Sequence, residues 1–240
     1  MNFKIILQTP GFNQESKQGL DVTSSSRICM FFLLVFGLIT SFRDQSFAAA
    51  IDAAKHTGLG TANYKKGNLE AAITEYRKAI ESDPNYADAY FNLGNAYLTQ
   101  GNLESAIAAY QNVIRINPQD SDAYVNLGNA YASQGNFEAT ITECQKAIHI
   151  NPGHANAHFN LGNAYSKLGN LGKAITEYQK AIHIDHEYVD AHFNLGNTYT
   201  KLGNLDKAIT KYQEAIRIDA KYLSAYDGLA NVYVKKRKLL

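Results

Sequence analysis

The chain has 240 residues, with 23 basic and 22 acidic side chains and therefore a formal charge of +1. A protein that holds nucleic acid through phosphate contacts needs a clear basic surplus, so this balance argues against a nucleic-acid partner. The two cysteines, Cys29 and Cys144, are too few for a disulfide framework. Composition alone therefore indicates neither the fold nor the function, and both must be inferred from the sequence pattern.

The first fifty residues differ from the rest of the chain. Residues 1–27 are mostly polar and aperiodic, so we predict a disordered leader. The run 28–40 is 13 residues long and almost entirely apolar, and small residues follow at 46–50. A signal-peptide core has about 7–15 apolar residues, whereas a spanning helix needs about 20. We predict a signal peptide at 28–50; an uncleaved anchor through 28–42 and a buried core segment are the alternatives.

The heptapeptide Phe-Asn-Leu-Gly-Asn-Ala-Tyr at 91–97 returns along the chain with few changes. Its leucine recurs every 34 residues, as Leu93, Leu127, Leu161 and Leu195. A fixed period of this length indicates an array in which each unit buries its apolar faces against its neighbours. In this phase the units are 53–86, 87–120, 121–154, 155–188 and 189–222, followed by a partial unit at 223–240.

Each unit has the pattern of two helices, as the second unit illustrates. Residues of its first half are spaced i, i+3, i+4 and i+7, and so share one helical face: Tyr90, Leu93, Gly94 and Tyr97. Apolar residues from Leu103 to Ile114 repeat this spacing. Gly101 and Asn102 separate the halves, because glycine can leave the helical region and asparagine can cap the next helix. The sequence therefore predicts an all-α fold of antiparallel helix pairs.

The second unit also fits a known repeat. It reads Tyr90-x2-Leu93-Gly94-x2-Tyr97, then Ala106-x3-Tyr110, then Pro118, and so resembles the tetratricopeptide repeat (TPR) family over residues 53–240. The resemblance implies an α-solenoid of about five and a half 34-residue repeats, wound as a right-handed superhelix behind an N-terminal hydrophobic segment. It also implies that the first helices line a concave groove.

Two irregularities carry expectations of their own. Thr140 and Cys144 replace a small alanine and a tyrosine in the third unit, and we predict one compensated core change and a soft spot there. Proline stops the second helix of the first three units, whereas His186 and Ala220 stand in its position in the next two. We expect the helices that lack the proline to fray or to run on slightly longer.

The predicted binding surface is the face of the first helices that lies opposite their core face, because in TPR proteins this face lines the concave groove. It consists of Phe91, Asn92, Asn95, Val125, Asn126, Asn129, Phe159, Asn160, Asn163, Lys167, Phe193, Asn194, Asn197 and Lys201. Side-chain amides both donate and accept, so a ladder of them suits an extended peptide backbone, while the rings supply contact area. The alternative is that these asparagines only bridge adjacent first helices.

Other kinds of site are predicted to be absent. TPR domains that clamp the acidic C-terminus of heat-shock chaperones have a lysine where this chain has Phe91, Val125, Phe159 and Phe193. His154 and His158 stand at i and i+4, and His183 and His186 at i and i+3, but no cysteine or carboxylate cluster joins them, so we predict no metal site. No nucleophile elbow, zinc-protease helix or phosphate loop occurs, so we predict neither catalysis nor a cofactor.

These observations predict a non-catalytic interaction scaffold that aids assembly of an envelope or membrane complex. We expect it to be exported to a periplasmic, lumenal or extracellular compartment after signal cleavage, or to be membrane-anchored with its repeats across the membrane. The asparagines at the sixth position of each unit also resemble the ladder in the TPR arm of O-linked N-acetylglucosamine transferases. The alternative function is therefore a regulatory or substrate-recruiting arm of a glycosyltransferase-like system whose catalytic part is on another chain.

Overall fold

The structure is a computed structural model that describes residues 45–238. The predicted leader at 1–27 and the apolar run 28–40 lie outside these residues. The small residues at 46–50 lie inside, in a helix α1 that covers 45–65. Between residues 45 and 238, no helix is both long and apolar enough to cross a membrane.

The described residues form helices joined by short turns, which confirms the predicted all-α fold. Helix α1 is followed by ten more helices. These are α2 (Leu69–Ser82), α3 (Ala87–Gln100), α4 (Leu103–Ile116), α5 (Ser121–Ser133), α6 (Phe137–Ile150), α7 (Ala155–Lys167), α8 (Leu171–Ile184), α9 (Val189–Lys201), α10 (Leu205–Ile218) and α11 (Leu223–Arg237). Each full unit contains one helix pair, and α11 is the first helix of the partial sixth unit.

The helices stack as a solenoid. Among α2 to α11, each helix packs on the next one along the chain. The first helices of neighbouring units also touch, in the series α3, α5, α7, α9 and α11, whereas the second helices of neighbouring units do not. First helices that lie closer together than second helices curve the stack, so they form its inner side. The predicted α-solenoid is confirmed.

The turn inside each unit follows the predicted chemistry. Gly101 has φ +81°, in the left-handed region that glycine enters without a steric cost. The side chain of Asn102 accepts a hydrogen bond from the backbone N–H of Ser105, and Asn136 caps α6 in the same way. The equivalent asparagines of the other units make no side-chain cap: Asn68, Asn170 and Asn204.

The expectation that units without proline have longer second helices is wrong. Helices α8 and α10 end at the same position as α2, α4 and α6. In every unit the next residue is an aspartate or asparagine with extended backbone, whose side-chain oxygen accepts a hydrogen bond from the N–H two residues on. This Asx turn ends the helix whether or not proline follows. The residues are Asp83, Asn117, Asn151, Asp185 and Asp219.

The two helices of a unit meet where a glycine faces a tyrosine ring. A Cβ atom at Gly94 would lie 2.6 Å from Cε1 of Tyr110, and one at Gly162 would lie 2.7 Å from Cε1 of Tyr178. Such distances are well inside van der Waals contact, so only glycine allows the ring to lie flat against the first helix.

The third unit replaces this contact. Cys144 and Thr140 are buried, and the Thr140 hydroxyl lies 3.1 Å from the carbonyl oxygen of Gly128 and 3.0 Å from that of Asn136. Burial and the nearby charge of Glu143 raise the pKa of the Cys144 thiol to about 12, so the thiol stays protonated and unreactive at neutral pH. Thr140, whose hydroxyl has backbone partners, thus replaces the alanine of other units, and the small thiol of Cys144 replaces their tyrosine ring.

We expect Gly162→Ala to lower the free energy of unfolding by about 1–2 kcal/mol, because displacing the Tyr178 ring costs more than the roughly 1 kcal/mol that alanine adds in helix propensity. Gly128→Ala is the matched control, since the nearest atom to its Cβ would be the Cys144 sulfur, at 3.2 Å. The control should be as stable as the parent or slightly more so. Urea denaturation of both variants measures the difference, and equal losses would contradict the packing described here.

Candidate functional site

A groove of about 790 Å³ runs along the inner side of helices α5, α7 and α9. Six of the fourteen residues predicted to bind line it: Asn129, Asn163, Lys167, Asn194, Asn197 and Lys201. The remaining lining residues are Leu98, Ala132, Ser133, Phe137, Ala164, Ser166 and Tyr178. The inner face therefore has a groove with a mixed polar and apolar lining, centred on the third, fourth and fifth units.

One predicted binding residue belongs to the core. Val125 has only 4% of its surface exposed and packs with Ala147 and Ala157. Its equivalents in the second, fourth and fifth units are phenylalanines. The smaller valine turns into the contact between the third and fourth units, and its side chain is closed to a ligand.

The phenylalanines of the predicted surface are packing residues to a large extent. The ring of Phe159 is half-buried, with its centroid 4.8 Å from that of Tyr188 and 6.0 Å from that of Tyr178. Phe193 lies in the same way between Tyr212 and Tyr222. Rings held between neighbouring units contribute to stacking, so only part of each ring surface is open to a ligand. The asparagines and lysines are left as the main contact groups.

In the second, fourth and fifth units, the asparagine at the ninth position is held by a tyrosine of the second helix. The hydroxyl of Tyr178 donates to Oδ1 of Asn163 at 2.8 Å, and the same bond joins Tyr110 to Asn95 and Tyr212 to Asn197 at 2.7 Å. Burial raises the pKa of Tyr178, so its phenol remains a donor at neutral pH. Because the carbonyl oxygen of each amide already accepts from a tyrosine, its N–H groups remain for the groove.

The sixth-position asparagines behave differently from one another. Nδ2 of Asn194 donates to Oδ1 of Asn163 at 2.9 Å, which bridges α9 and α7 as the structural alternative predicted. Nδ2 of Asn92 donates to the carbonyl oxygen of Asp88 in its own helix. Asn126 and Asn160 make no side-chain hydrogen bond with other described residues, and neither lines the groove. Bridging therefore accounts for one asparagine of this series, and it does not account for the others.

Asn129 differs from the other ninth-position asparagines. Its unit has Cys144 where the others have a tyrosine, so no hydroxyl reaches its amide, and the described residues supply no other partner. Phe137 in the same unit replaces a leucine and lines the groove with its ring. Asn129 therefore keeps both a donor and an acceptor for a ligand, next to an aromatic surface. Phe137 was not among the predicted binding residues; the phenylalanine that stands where the other units have leucine is the sequence signal that could have identified it.

The groove is positively charged. Among the described residues, its only charged lining groups are Lys167 and Lys201, the last residues of α7 and α9, and no carboxylate lines it. Both ammonium groups are exposed, and neither makes an ion pair within this part of the chain. The negative end of each helix dipole offsets part of this charge, although an ammonium carries a full unit and the helix end about half.

His154 and His158, the histidine pair spaced i and i+4, have structural partners. The nitrogens of the buried His158 lie 2.7 Å from Oε2 of Glu177 and 3.2 Å from the carbonyl oxygen of Pro152, and Nε2 of His154 lies 2.9 Å from Oδ1 of Asp122. Both ring nitrogens of His158 face protein acceptors, so neither is left for a metal ion. No cluster of three or more potential ligand residues occurs within residues 45–238.

Comparison with solved structures gives several neighbours. A crystal structure of MamA is 29% identical, covers 68% of this chain and 95% of its own, and superposes with a TM-score of 0.62. YrrB, described as a TPR protein with an unusual peptide-binding site, is 25% identical over 73% of this chain and 91% of its own, with a TM-score of 0.58. TTC0263, a TPR protein of Thermus thermophilus, is 23% identical over 76% of this chain and 99% of its own, and its TM-score of 0.62 shows a shared fold.

No curated protein sequence is significantly similar to the chain. The family profile of the TPR repeat, however, matches five overlapping stretches, at residues 60–101, 94–135, 128–169, 162–203 and 196–236. These stretches cover most of the chain and keep the 34-residue step read from the leucines. The chain belongs to the tetratricopeptide repeat family.

Proposed function

We propose that this chain is a non-catalytic scaffold that binds extended peptide segments of other proteins in its inner groove. The observation that carries the proposal is the amide of Asn129, which lies in the groove without a partner among the described residues. An extended peptide presents N–H and C=O groups in alternation and can satisfy both ends of such an amide. The fold that the chain shares with YrrB, whose peptide-binding site is described as unusual, supports this interpretation.

We further propose that the scaffold works across a membrane and aids assembly of an envelope or membrane complex. The support is the apolar run 28–40, which has the length of a signal-peptide core. N-terminal sequencing of the protein from its native cells should find a mature start near Ala49 or Ile51. An intact chain in the membrane fraction would indicate the anchor, and a soluble chain that keeps Met1 would exclude both.

The partners recovered with the tagged full-length chain from solubilised membranes separate two versions of this proposal. Several subunits of one complex would support assembly. One dominant enzyme would support the alternative, a regulatory or substrate-recruiting arm of a glycosyltransferase-like system. In either version we propose neither a nucleic-acid partner nor the chaperone type of clamp, because the lysine position of that clamp is occupied by phenylalanine or valine, whereas the groove lysines are Lys167 and Lys201.

Asn129→Ala tests the groove directly. We expect about fivefold weaker binding of peptides selected from a random twelve-residue display library on the full-length chain, since one hydrogen bond contributes about 1 kcal/mol. Ser133→Trp should abolish binding, because Ser133 is exposed, lines the groove and bonds only to its own helix, so an indole there blocks the channel. Fluorescence anisotropy gives the affinities, and thermal unfolding shows whether each variant is folded.

Asn126→Ala is the matched control for Asn129→Ala. Asn126 lies on the same helix one turn earlier, makes no side-chain hydrogen bond with described residues and does not line the groove. The control should bind as the parent does. If folded Asn129→Ala and Ser133→Trp both retained parental affinity, the groove would not be the peptide site and the proposed function would fail.

A further inference from the structure

We propose that the groove selects extended segments that carry acidic side chains, and that it holds these carboxylates along the chain of the partner rather than at a free C-terminus. The inference rests on the proposed function and adds the chemistry of the ligand. Its support is the set of hydrogen-bond donors and positive charges in the groove. Tyrosine hydroxyls of the second helices fix the orientation of the asparagine amides that supply these donors.

The first step concerns the asparagine amides of the fourth and fifth units. Oδ1 of Asn163 accepts from the Tyr178 hydroxyl and from Nδ2 of Asn194, and Oδ1 of Asn197 accepts from the Tyr212 hydroxyl. Each bond fixes the amide with its oxygen turned toward the protein. The N–H groups of Asn163 and Asn197 are left to meet the ligand, and they require acceptors.

The second step concerns charge. Lys167 and Lys201 line the same two units, and within residues 45–238 they have no ion-pair partner and no acidic side chain lines the groove to neutralise them. A carboxylate of the ligand can therefore accept from an ammonium and from an amide N–H at once. Hydrogen bonds between charged groups are stronger than neutral ones, so this combination favours aspartate or glutamate over their amides.

The third step concerns the backbone of the ligand, whose N–H groups need acceptors. Two side-chain amides in the groove have an oxygen with no protein donor among the described residues: Oδ1 of Asn129, which no tyrosine reaches, and Oδ1 of Asn194, whose nitrogen alone is engaged. The first acceptor lies in the third unit, which has Cys144 in place of tyrosine. The second belongs to the asparagine that bridges α9 and α7. A peptide backbone finds both kinds of partner, while its carboxylates find donors in the fourth and fifth units.

The test uses three acetylated and amidated twelve-residue peptides in which serine alternates with glutamate, glutamine or lysine. Blocked ends remove the terminal carboxylate, so binding reports on side chains alone. We expect the full-length chain to bind the glutamate peptide about tenfold more tightly than the glutamine peptide, and the lysine peptide more weakly still. The preference should shrink as sodium chloride rises from about 50 to about 300 mM, because exposed charges are screened.

Variants locate the effect. Lys167→Gln should weaken binding of the glutamate peptide by about twofold to fivefold, and so should Lys201→Gln, as expected for partly exposed ion pairs. The double variant Lys167→Gln/Lys201→Gln should combine the two losses. Its control is Lys173→Gln/Lys207→Gln, which removes the same charge from the second helices of the same units. Neither Lys173 nor Lys207 lines the groove, so the control should bind as the parent does.

The outcomes separate this inference from the proposed function. Equal affinity for the glutamate and glutamine peptides, both blocked by Ser133→Trp, would overturn the acidic preference and leave the groove as a peptide site. Failure to bind the glutamate peptide, or equal losses in the groove and control lysine variants, would overturn the preference as well. Peptide binding that survives Ser133→Trp would overturn the proposed function itself.

Discussion

Replacing Tyr110 with alanine is expected to lower the free energy of unfolding by about 3–5 kcal/mol, the usual cost of removing a fully buried ring. Tyr110 is 0% exposed, lies against the bare backbone of Gly94 and meets Phe91 edge to face at 6.0 Å. Its hydroxyl also donates to Asn95. The variant leaves a cavity between two helices and a half-buried amide without its donor, and chemical denaturation measures the sum.

Cys144→Ala is the control for that variant, because Cys144 occupies the same position in the third unit. It removes one buried sulfur and no hydrogen bond, so a loss of about 1 kcal/mol is expected. Hydrogen exchange adds a spatial prediction. Solenoid units are coupled to their nearest neighbours, so Tyr110→Ala should open the second and third units first. Exchange that accelerates equally in every unit would contradict this.

The repeat period made the fold predictable. A step of 34 residues sets the phase of every unit, and the pairing of a glycine with a tyrosine follows from volume alone, because a bare backbone leaves room for a ring. Neither argument needs a tertiary contact to be known. The exchange of tyrosine for cysteine in the third unit could be read in the same way, as a change of volume.

The polarity of the groove could not be predicted from the period. That Asn163 turns its oxygen away from the ligand depends on a hydroxyl that approaches from another helix, 15 residues further along the chain. A helical wheel gives the face of a residue and says nothing of the partner that fixes its amide. The wheel also placed Val125 on the ligand face, although the next unit covers it.

The ends of the second helices show a competing local signal. Proline breaks a helix because it lacks the amide hydrogen and clashes with the preceding turn. Its absence from the fourth and fifth units therefore suggested longer second helices there. The aspartate or asparagine that begins the turn was present in every unit and was sufficient, because its side chain offers the backbone an alternative to the next helical hydrogen bond. The aspartate or asparagine that all five full units share therefore determines the helix end, and the proline that only three of them have does not.

The pair formed by Glu177 and His158 should make the stability of the fourth unit depend on pH. Burial alone would raise the pKa of Glu177, but hydrogen bonds from His158 and Lys180 outweigh burial and hold this pKa below its usual range. Glu177 is 9% exposed, so its charge is stabilised mainly by these two partners. Glu177→Gln keeps the shape of the side chain and removes the charge. We expect it to lower the free energy of unfolding at pH 7 by about 1.5–3 kcal/mol, the range for hydrogen bonds to charged groups.

The sign of the pH effect follows from the direction of the pKa shift. A carboxyl whose pKa is lower in the folded than in the unfolded chain stabilises the fold above its unfolded pKa of about 4.3, and this contribution is lost as the pH falls through the folded value. The difference between parent and Glu177→Gln should therefore be full at pH 7, begin to shrink below the unfolded pKa of about 4.3, and be lost as the pH falls through the lower folded pKa. Glu143→Gln is the control, because Glu143 holds the same position in the third unit, where Tyr124 replaces the histidine. It pairs only with the half-exposed Lys146, so its loss should stay below about 1 kcal/mol. A gap for Glu177→Gln that stayed constant down to pH 3 would mean that the cost comes from shape and not from charge.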